Sequence, residues 1–292
     1  MQSWSRIEDA IIARLGVFYF GFLNYLPFLV IFSLSLIAIA LFERMKLRHS
    51  VRREALDLKA MALLIYGTIA ATYVGASLYN IALLLYMHRS IPSEDFGSRL
   101  IFLSKAEIAA VESVIKYLLF LLVPIIFLNK ARQGFFSSIF APVRRPVKKV
   151  VLLSSICIFA IISSAYLVSL VFGRPERSTL ASVTKRLIND SPVVAFGYAT
   201  LMIFMISASE ELVFRGIIYS GLRERIGIPL AAVAGSILFS VYHYSALSLF
   251  STFFFVAGML LTLLYEQTGS IYPPIAVHAS ILIMSTLVGI IA

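Results

Sequence analysis

Residues 194–222 read VAFGYATLMIFMISASEELVFRGIIYSGL, an apolar run that contains three charged residues close together. A helix needs about 20 mostly apolar residues to cross the hydrocarbon core of a bilayer, and this run is long enough. A charged side chain at the middle of such a helix costs about 2.5–3.5 kcal/mol if it faces lipid. Glu210, Glu211 and Arg215 must therefore pair with one another or line a polar interior, which predicts a membrane helix that carries a functional site.

The composition of the whole chain is typical of a membrane protein. Of its 292 residues, 60% are hydrophobic and 14% are charged, whereas soluble proteins average about 45–50% and about 25%. This composition excludes an ordinary soluble enzyme, a nucleic-acid-binding domain and a disordered chain. The net charge of +10 comes from basic residues in short loops between apolar runs, which is the pattern that sets membrane orientation. The single cysteine, Cys157, excludes a disulfide framework within the chain.

Eight apolar runs predict an all-α, polytopic membrane protein with about eight transmembrane helices in one bundle. The runs are 17–42, 60–87, 109–128, 150–172, 194–222, 228–248, 249–265 and 271–291. The first is interpreted as a retained membrane anchor. The third contains Glu112 and Lys116, an acid-first pair four residues apart that indicates a structural ion pair. No linker or repeat divides the chain, so residues 1–292 are predicted to form a single membrane domain.

The basic residues of alternate loops predict the orientation in the membrane. The loops 43–59, 129–149, 215–227 and 266–270 contain 6, 6, 3 and 0 Lys and Arg residues, whereas the opposite side contains 2, 3, 4 and 0. Because basic loops stay in the cytoplasm, we expect the first set to be cytoplasmic and both termini to face outward. The expected location is the cell membrane of a prokaryote. The loop 173–192 is expected to hold a short interfacial helix.

Arg215 can easily neutralise only one of the two adjacent glutamates. Glu211 and Arg215 are four residues apart, in the order that favours an ion pair on one helix face. Glu210 is rotated by about 100° from Glu211, so the same arginine does not easily reach it. A carboxylate at membrane depth without its own cation is a candidate functional residue. The Glu211–Arg215 pair is either a structural clip or a support for the site.

Two histidines in later spans are candidate partners of Glu210. His243 lies one helical turn after Phe239, and His278 lies in the last span. Both are expected to point into the bundle, because lipid offers an imidazole no hydrogen bond. A carboxylate with two imidazoles suits either water activation or a metal ion with an open coordination position. The alternative role of His278 is helix–helix hydrogen bonding, and the phenylalanines within 250–255 are expected to face lipid.

Three motifs in the region 194–290 resemble those of the CAAX prenyl endopeptidase and bacteriocin-processing (CPBP, or Abi) family of intramembrane proteases. The family's motifs are EExxxR, FxxxH and HxxxN, in this order on separate helices. The corresponding residues are Glu210-Glu211-x-x-x-Arg215, Phe239-x-x-x-His243 and His278. The first two motifs match in full, so the region 194–290 is similar to the family's catalytic core, and 1–172 is similar only in its membrane spans.

The resemblance implies that a peptide bond near the membrane surface is hydrolysed without a covalent intermediate. It assigns Glu210 as the base that activates water, His243 as the residue that holds this water, and His278 as the donor to the oxyanion. The residues implied to orient these three are Glu211, Arg215 and Phe239. The implied partner is a membrane-associated peptide or protein, lipidated or not, and the resemblance favours chemistry without a cofactor.

Two questions stay open at the level of sequence. Zinc bound by Glu210, His243 and His278 is an alternative, since two histidines and a carboxylate with a free position form a catalytic zinc set.

Leu282 stands where the family has asparagine, and it can donate no hydrogen bond; Ser285 is a candidate substitute. This departure leaves three interpretations open: a divergent branch of the family, a weaker enzyme, or an inactive scaffold or immunity protein that binds a peptide or lipidated partner. A small transporter is the least favoured class, because no paired interrupted spans are found.

Overall fold

A computed structural model of the chain describes residue 33 and residues 58–90, 105–131, 139–172, 179–243 and 249–291. The regular structure of these residues is helical and includes no strand, which confirms the predicted all-α class. In chain order the elements are α1 (Leu58–Ser90), α2 (Lys105–Ala131), α3 (Val147–Phe172), α4 (Thr179–Asp190), α5 (Pro192–Glu211), a π-helical segment (Leu212–Tyr219), α6 (Ser220–Ile226), α7 (Ile228–His243), α8 (Leu249–Thr268) and α9 (Tyr272–Ile291).

Five helical stretches in the described part of the chain are long and apolar enough to cross a membrane. They are Leu58–Leu83, Glu107–Leu128, Val147–Leu170, Pro192–Ile226 and Tyr272–Ile291. Each corresponds to one predicted span. The shorter α7, of 16 residues, and α8, of 20 residues, correspond to two further predicted runs. The first predicted span, 17–42, lies outside the described residues except for residue 33.

The 35-residue stretch Pro192–Ile226 carries the glutamate pair, and local sequence signals fix its two ends. The hydroxyl of Ser191 accepts a hydrogen bond from the backbone N–H of Val194 at 3.4 Å, and Pro192 occupies the first helical position. Both features favour a helix start, because they satisfy or remove N–H groups that have no partner within the helix. At the other end Gly227 has a φ of 81°, a conformation that ends helices and that glycine adopts without strain.

Two apolar clusters pack against this long stretch, one toward each end. The larger cluster packs the π-helical segment against α1, α7 and α8, and its members include Met61, Phe214, Phe239 and Leu261. The smaller cluster packs α5 against α2 and α4, and its members include Ala110, Leu187, Tyr198 and Ile206. The glutamate pair lies between Ile206 of the smaller cluster and Leu212 of the larger one. The charged residues are therefore placed where the two clusters meet.

The short helix expected within the loop 173–192 is present as α4. Its apolar face is buried through Leu180, Val183 and Leu187, which belong to the smaller cluster. Lys185 is half-buried and Arg186 is exposed on the other face. One apolar face and one basic face are typical of a helix that lies at a membrane surface. This helix covers the part of α5 that precedes the glutamate pair.

Candidate active site

Glu210 and Glu211 are the last two residues of α5, immediately before the backbone changes to a π-helix. Their relative exposures are 1% and 0%, and Arg215 in the π-helical segment is 1% exposed. Single π-helical turns are often found at functional sites, where they shift side chains relative to a regular helix. Three buried charges on consecutive turns require partners from neighbouring helices, and α7, α8 and α9 supply them.

Arg215 joins three helices around the carboxylate of Glu211. Its Nη1 donates to Oε1 of Glu211 at 2.8 Å, which confirms the predicted pair. Its Nη2 donates to the backbone carbonyl of Gly258 on α8 at 3.2 Å. Its guanidinium carbon lies 4.5 Å from the ring centroid of Phe239 on α7, within the range of a cation–π interaction. The arginine therefore fixes the position of Glu211 relative to both neighbouring helices.

Glu210 meets the imidazoles of two other helices. Its Oε2 lies 3.1 Å from Nε2 of His243 at the end of α7 and 3.8 Å from Nε2 of His278 in α9. The side chain of His243 is 17% exposed and that of His278 is 8% exposed. The structure thus brings together the carboxylate and the two histidines that were singled out in the sequence, and His243 is the most accessible of the three.

The second nitrogen of each imidazole is held by a hydrogen-bond acceptor. Nδ1 of His243 lies 2.9 Å from the backbone carbonyl of Phe239, and Nδ1 of His278 lies 2.8 Å from Oε1 of Glu211. A carbonyl or carboxylate oxygen only accepts, so each Nδ1 carries a proton and donates it. Both rings therefore turn their Nε2 atoms toward the same oxygen of Glu210.

The buried charges of this cluster do not cancel while both imidazoles are neutral. Glu210 and Glu211 contribute two negative charges and Arg215 one positive charge, and one additional proton on an imidazole brings the sum to zero.

Among the described residues, Oε2 of Glu210 has no hydrogen bond of acceptable geometry, although the two nitrogens are near it. This buried acceptor can accept a hydrogen bond from a small polar molecule, because a buried carboxylate oxygen is costly without a donor.

Two phenylalanine rings pack against the imidazole of His243. The centroid of Phe239 lies 4.3 Å from that of the imidazole, and Phe254 of α8 stacks on it at 4.5 Å with an interplanar angle of 17°. The expectation that residues 250–255 face lipid is therefore wrong for Phe254, and Phe253 also packs on the larger cluster. The sequence holds no local signal for this contact, since it depends on how closely α7 and α8 approach.

The residues that follow His278 in α9 provide no replacement for the family's asparagine. Leu282 is half-buried and packs against the smaller cluster, which contains Ile206. The hydroxyl of Ser285 donates to the backbone carbonyl of Leu282 at 3.1 Å and is exposed. Ser285 is therefore not placed to substitute for the asparagine, because its hydroxyl is bonded within its own helix turn.

The zinc alternative, which uses Glu210, His243 and His278, stays a prediction. In the described part of the chain, no group of three or more His, Cys, Asp or Glu side chains is arranged to hold a metal ion. Both Nδ1 atoms donate to oxygen atoms, so zinc would be held by the two Nε2 atoms and the carboxylate of Glu210. The separate pair Glu112 and Lys116 is formed on α2 at 2.7 Å with both side chains partly exposed, which agrees with the structural role expected for it.

Residues 192–284 match the family model described as type II CAAX prenyl endopeptidase Rce1-like. The matched segment begins at the first residue of α5, ends within α9 and contains every residue of the site. This segment is similar to the CAAX protease family, and the match supports the resemblance seen in the motifs. The apolar helices and the family match together indicate an integral membrane protein. No curated protein and no solved structure matches the chain.

Proposed function

We propose that this protein is an intramembrane endopeptidase that hydrolyses a peptide bond with a water molecule activated by Glu210. The observation that carries the proposal is the buried Oε2 of Glu210, which has the Nε2 atoms of His243 and His278 at 3.1 and 3.8 Å. The family match supports peptide-bond hydrolysis as the use of this cluster. The proposed substrate is a membrane-associated peptide or protein, lipidated or not.

In the first step, Glu210 accepts a proton from water while the water oxygen forms a bond to the carbonyl carbon of the substrate. His243 holds the water through Nε2, since its Nδ1 is committed to the carbonyl of Phe239. A positioned base of this kind contributes about 10²–10⁴-fold to a rate. The exclusion of bulk water around Glu210 strengthens the interaction of the carboxylate with the single bound water.

In the second step, negative charge develops on the former carbonyl oxygen, and His278 donates to it. Donation from Nε2 requires a cationic imidazole, because Nδ1 of the same ring donates to Glu211. Glu211 balances this charge, and Arg215 fixes Glu211 through the same Oε1 atom. Loss of an oxyanion donor costs about 2.7–4 kcal/mol in other enzymes. Since Leu282 offers no donor, we expect His278 to supply most of this stabilisation.

In the last step, the carbonyl re-forms, the bond between carbon and nitrogen breaks, and the proton on Glu210 passes to the leaving nitrogen. The products are a carboxylic acid and an amine, and the carboxylate of Glu210 is regenerated. No bond forms between the enzyme and the substrate at any stage. This mechanism therefore assigns no nucleophile to a side chain, in agreement with a site that contains carboxylates and imidazoles.

The proposal is tested by the peptide fragments in membranes of cells that express the wild-type chain, Glu210→Gln or His243→Ala. Fragments produced by the wild type should be lost in both variants, because Glu210→Gln removes the base and His243→Ala removes the imidazole that holds the water. Glu112→Ala is the matched control, since it removes a partly exposed glutamate of α2 that is paired with Lys116. Unchanged fragments in the two site variants would refute peptide hydrolysis at this site.

The same comparison separates an enzyme from a scaffold protein. A scaffold would retain a bound peptide equally well in the wild type and in Glu210→Gln, with no fragments in either. An endopeptidase would instead accumulate an uncleaved substrate only in the variant. Copurification of membrane peptides with Glu210→Gln therefore identifies the substrate when the proposal is right.

A further inference from the structure

A group of basic side chains lies at one end of the bundle and takes no part in the site. Four of them precede or begin α3 and two lie in α6. They are Arg144, Arg145, Lys148, Lys149, Arg223 and Arg225. We call the first four the basic face. In the described part of the chain this end also contains two acidic residues, Glu224 and Glu266, so positive charge predominates there.

Contacts between distant parts of the chain place these residues at the same end. The backbone N–H of Arg144 donates to the carbonyl of Thr268 at 3.3 Å, and Nε of Arg145 donates to the carbonyl of Gln267 at 3.0 Å. Both carbonyls belong to the last turn of α8. Nε of Arg223 lies 2.8 Å from Oε1 of Glu266 in the same turn. The start of α3, the end of α6 and the end of α8 therefore meet.

The basic face is exposed and lacks neighbouring carboxylates. All four side chains are exposed. Within the described residues, no Asp or Glu side chain lies within 4.0 Å of any of them, since Glu266 is occupied by Arg223 and by the hydroxyl of Tyr219 at 2.6 Å. The four positive charges lie within residues 144–149 and repel one another. An anion that bridges them would therefore be bound favourably.

The position of the face relative to the apolar surface of α3 indicates what that anion is. The apolar stretch of α3 begins at Val147, directly among the four cations. Its next turns expose large apolar side chains that no described helix covers, namely Val151, Leu152, Ile156 and Phe159. Such side chains contact lipid tails in a membrane helix. The basic face therefore lies at the depth of the lipid headgroups.

We propose that the basic face binds the phosphate groups of anionic phospholipids in the leaflet that it meets. Arginine and lysine are the side chains that bind phosphate most strongly, and an anionic headgroup is held directly above the tails that contact α3. Each basic residue near a charged membrane surface strengthens binding about fivefold. This inference does not rest on the proposed peptidase activity, because lipid binding is measured without a substrate.

The test is native mass spectrometry of the full-length protein in detergent, titrated with phosphatidylglycerol or with phosphatidylcholine. The variant K148Q/K149Q removes two charges and leaves Arg144 and Arg145, which contact α8, unchanged. We expect the variant to need at least fivefold more phosphatidylglycerol than the wild type for the first bound lipid. Phosphatidylcholine binding should be the same for both proteins, because its headgroup carries no net charge.

The matched control is K185Q/R186Q, which removes two charges from α4 at the other end of the long stretch that begins with α5. An unchanged phosphatidylglycerol titration in K148Q/K149Q would overturn the proposal. An equal loss in the two double variants would overturn it as well, since it would show a general effect of net charge. Binding of poly-glutamate to the wild type without any preference for phosphatidylglycerol would also overturn it and would favour an acidic peptide.

Discussion

The ring of Phe254 determines the orientation of the imidazole of His243, as the relative geometry of the two rings shows. The two rings are nearly parallel, at 17°, and their centroids are 4.5 Å apart. Nδ1 of the imidazole is held by the carbonyl of Phe239 at the same time. A hydrogen bond fixes one atom of the ring but leaves rotation about that bond, and a stacked ring removes this freedom. The direction of Nε2 toward Glu210 therefore depends on both contacts.

At this scale we predict that Phe254→Leu lowers kcat about tenfold and changes KM little. An aromatic pair contributes about 0.5–1.5 kcal/mol beyond its burial, and the loss acts on a group that contacts water rather than on substrate binding. Phe254→Tyr should restore most of kcat, since it keeps the ring. Phe159→Leu on the exposed face of α3 is the control and should leave kcat unchanged. Turnover of the substrate identified with Glu210→Gln measures these values, and equal kcat in Phe254→Leu and wild type would contradict the assignment.

At the scale of the elements, the close approach of α7 and α8 builds the site. A side chain at Gly258 would place its Cβ 3.0 Å from Cβ and 3.1 Å from Cα of Ser236, so a larger residue fits there only if α7 and α8 move apart. The carbonyl of Gly258 also accepts from Arg215 at 3.2 Å. One glycine therefore permits both the helix contact that brings Phe254 to His243 and the anchor of the guanidinium group.

We predict that Gly258→Ala separates α7 from α8 and lowers the free energy of unfolding by about 1–3 kcal/mol, the usual cost of overpacking. Activity should fall further than stability, because the anchor of Arg215 and the stacking on His243 are disturbed together. The control is Gly197→Ala in α5, where a Cβ has no atom within 4 Å; alanine should stabilise that helix by about 0.5–1 kcal/mol. Thermal unfolding in detergent measures both, and a Gly258→Ala protein as stable as Gly197→Ala would contradict the packing argument.

At the scale of the whole molecule, three of the loops predicted to be cytoplasmic come together. The residues 144–145 contact the end of α8, and Arg223 contacts Glu266, so the described parts of 129–149, 215–227 and 266–270 share one end. The helix α4 lies at the opposite end, since the membrane-spanning stretch Pro192–Ile226 separates the two. The loops that are predicted to be cytoplasmic therefore lie at one end of the bundle, and α4 from the opposite set lies at the other end.

This arrangement predicts opposite labelling of two single-cysteine variants in a Cys157→Ala background, which removes the one native thiol. Lys149→Cys should react with a membrane-impermeant maleimide only after the cells are permeabilised, because the loop charges predict that the basic end is cytoplasmic. Lys185→Cys on α4 should react in intact cells. Labelling of both variants from the same side would contradict the topology, and the reverse pattern would contradict the orientation.

The sequence by itself determined the features that depend on neighbours along one helix. Long apolar runs fix where the membrane helices lie, because each must bury its backbone within one segment. The pair formed by Glu211 and Arg215 was also predictable, since residues four apart share a helix face. The motif spacing indicated that Glu210, His243 and His278 belong together, although it gave no distances.

The tertiary structure decided the contacts that join separate helices. The stacking of Phe254 on His243, the carbonyl that Gly258 offers to Arg215, and the packing of Leu282 against the smaller cluster were not predictable. The same holds for the π-helical segment Leu212–Tyr219 and for the meeting of α3 with α8. The physical reason is that each depends on the rotation and the spacing of packed helices. Those are set by many small side-chain contacts at once, whereas a sequence pattern records only the order of residues along each helix.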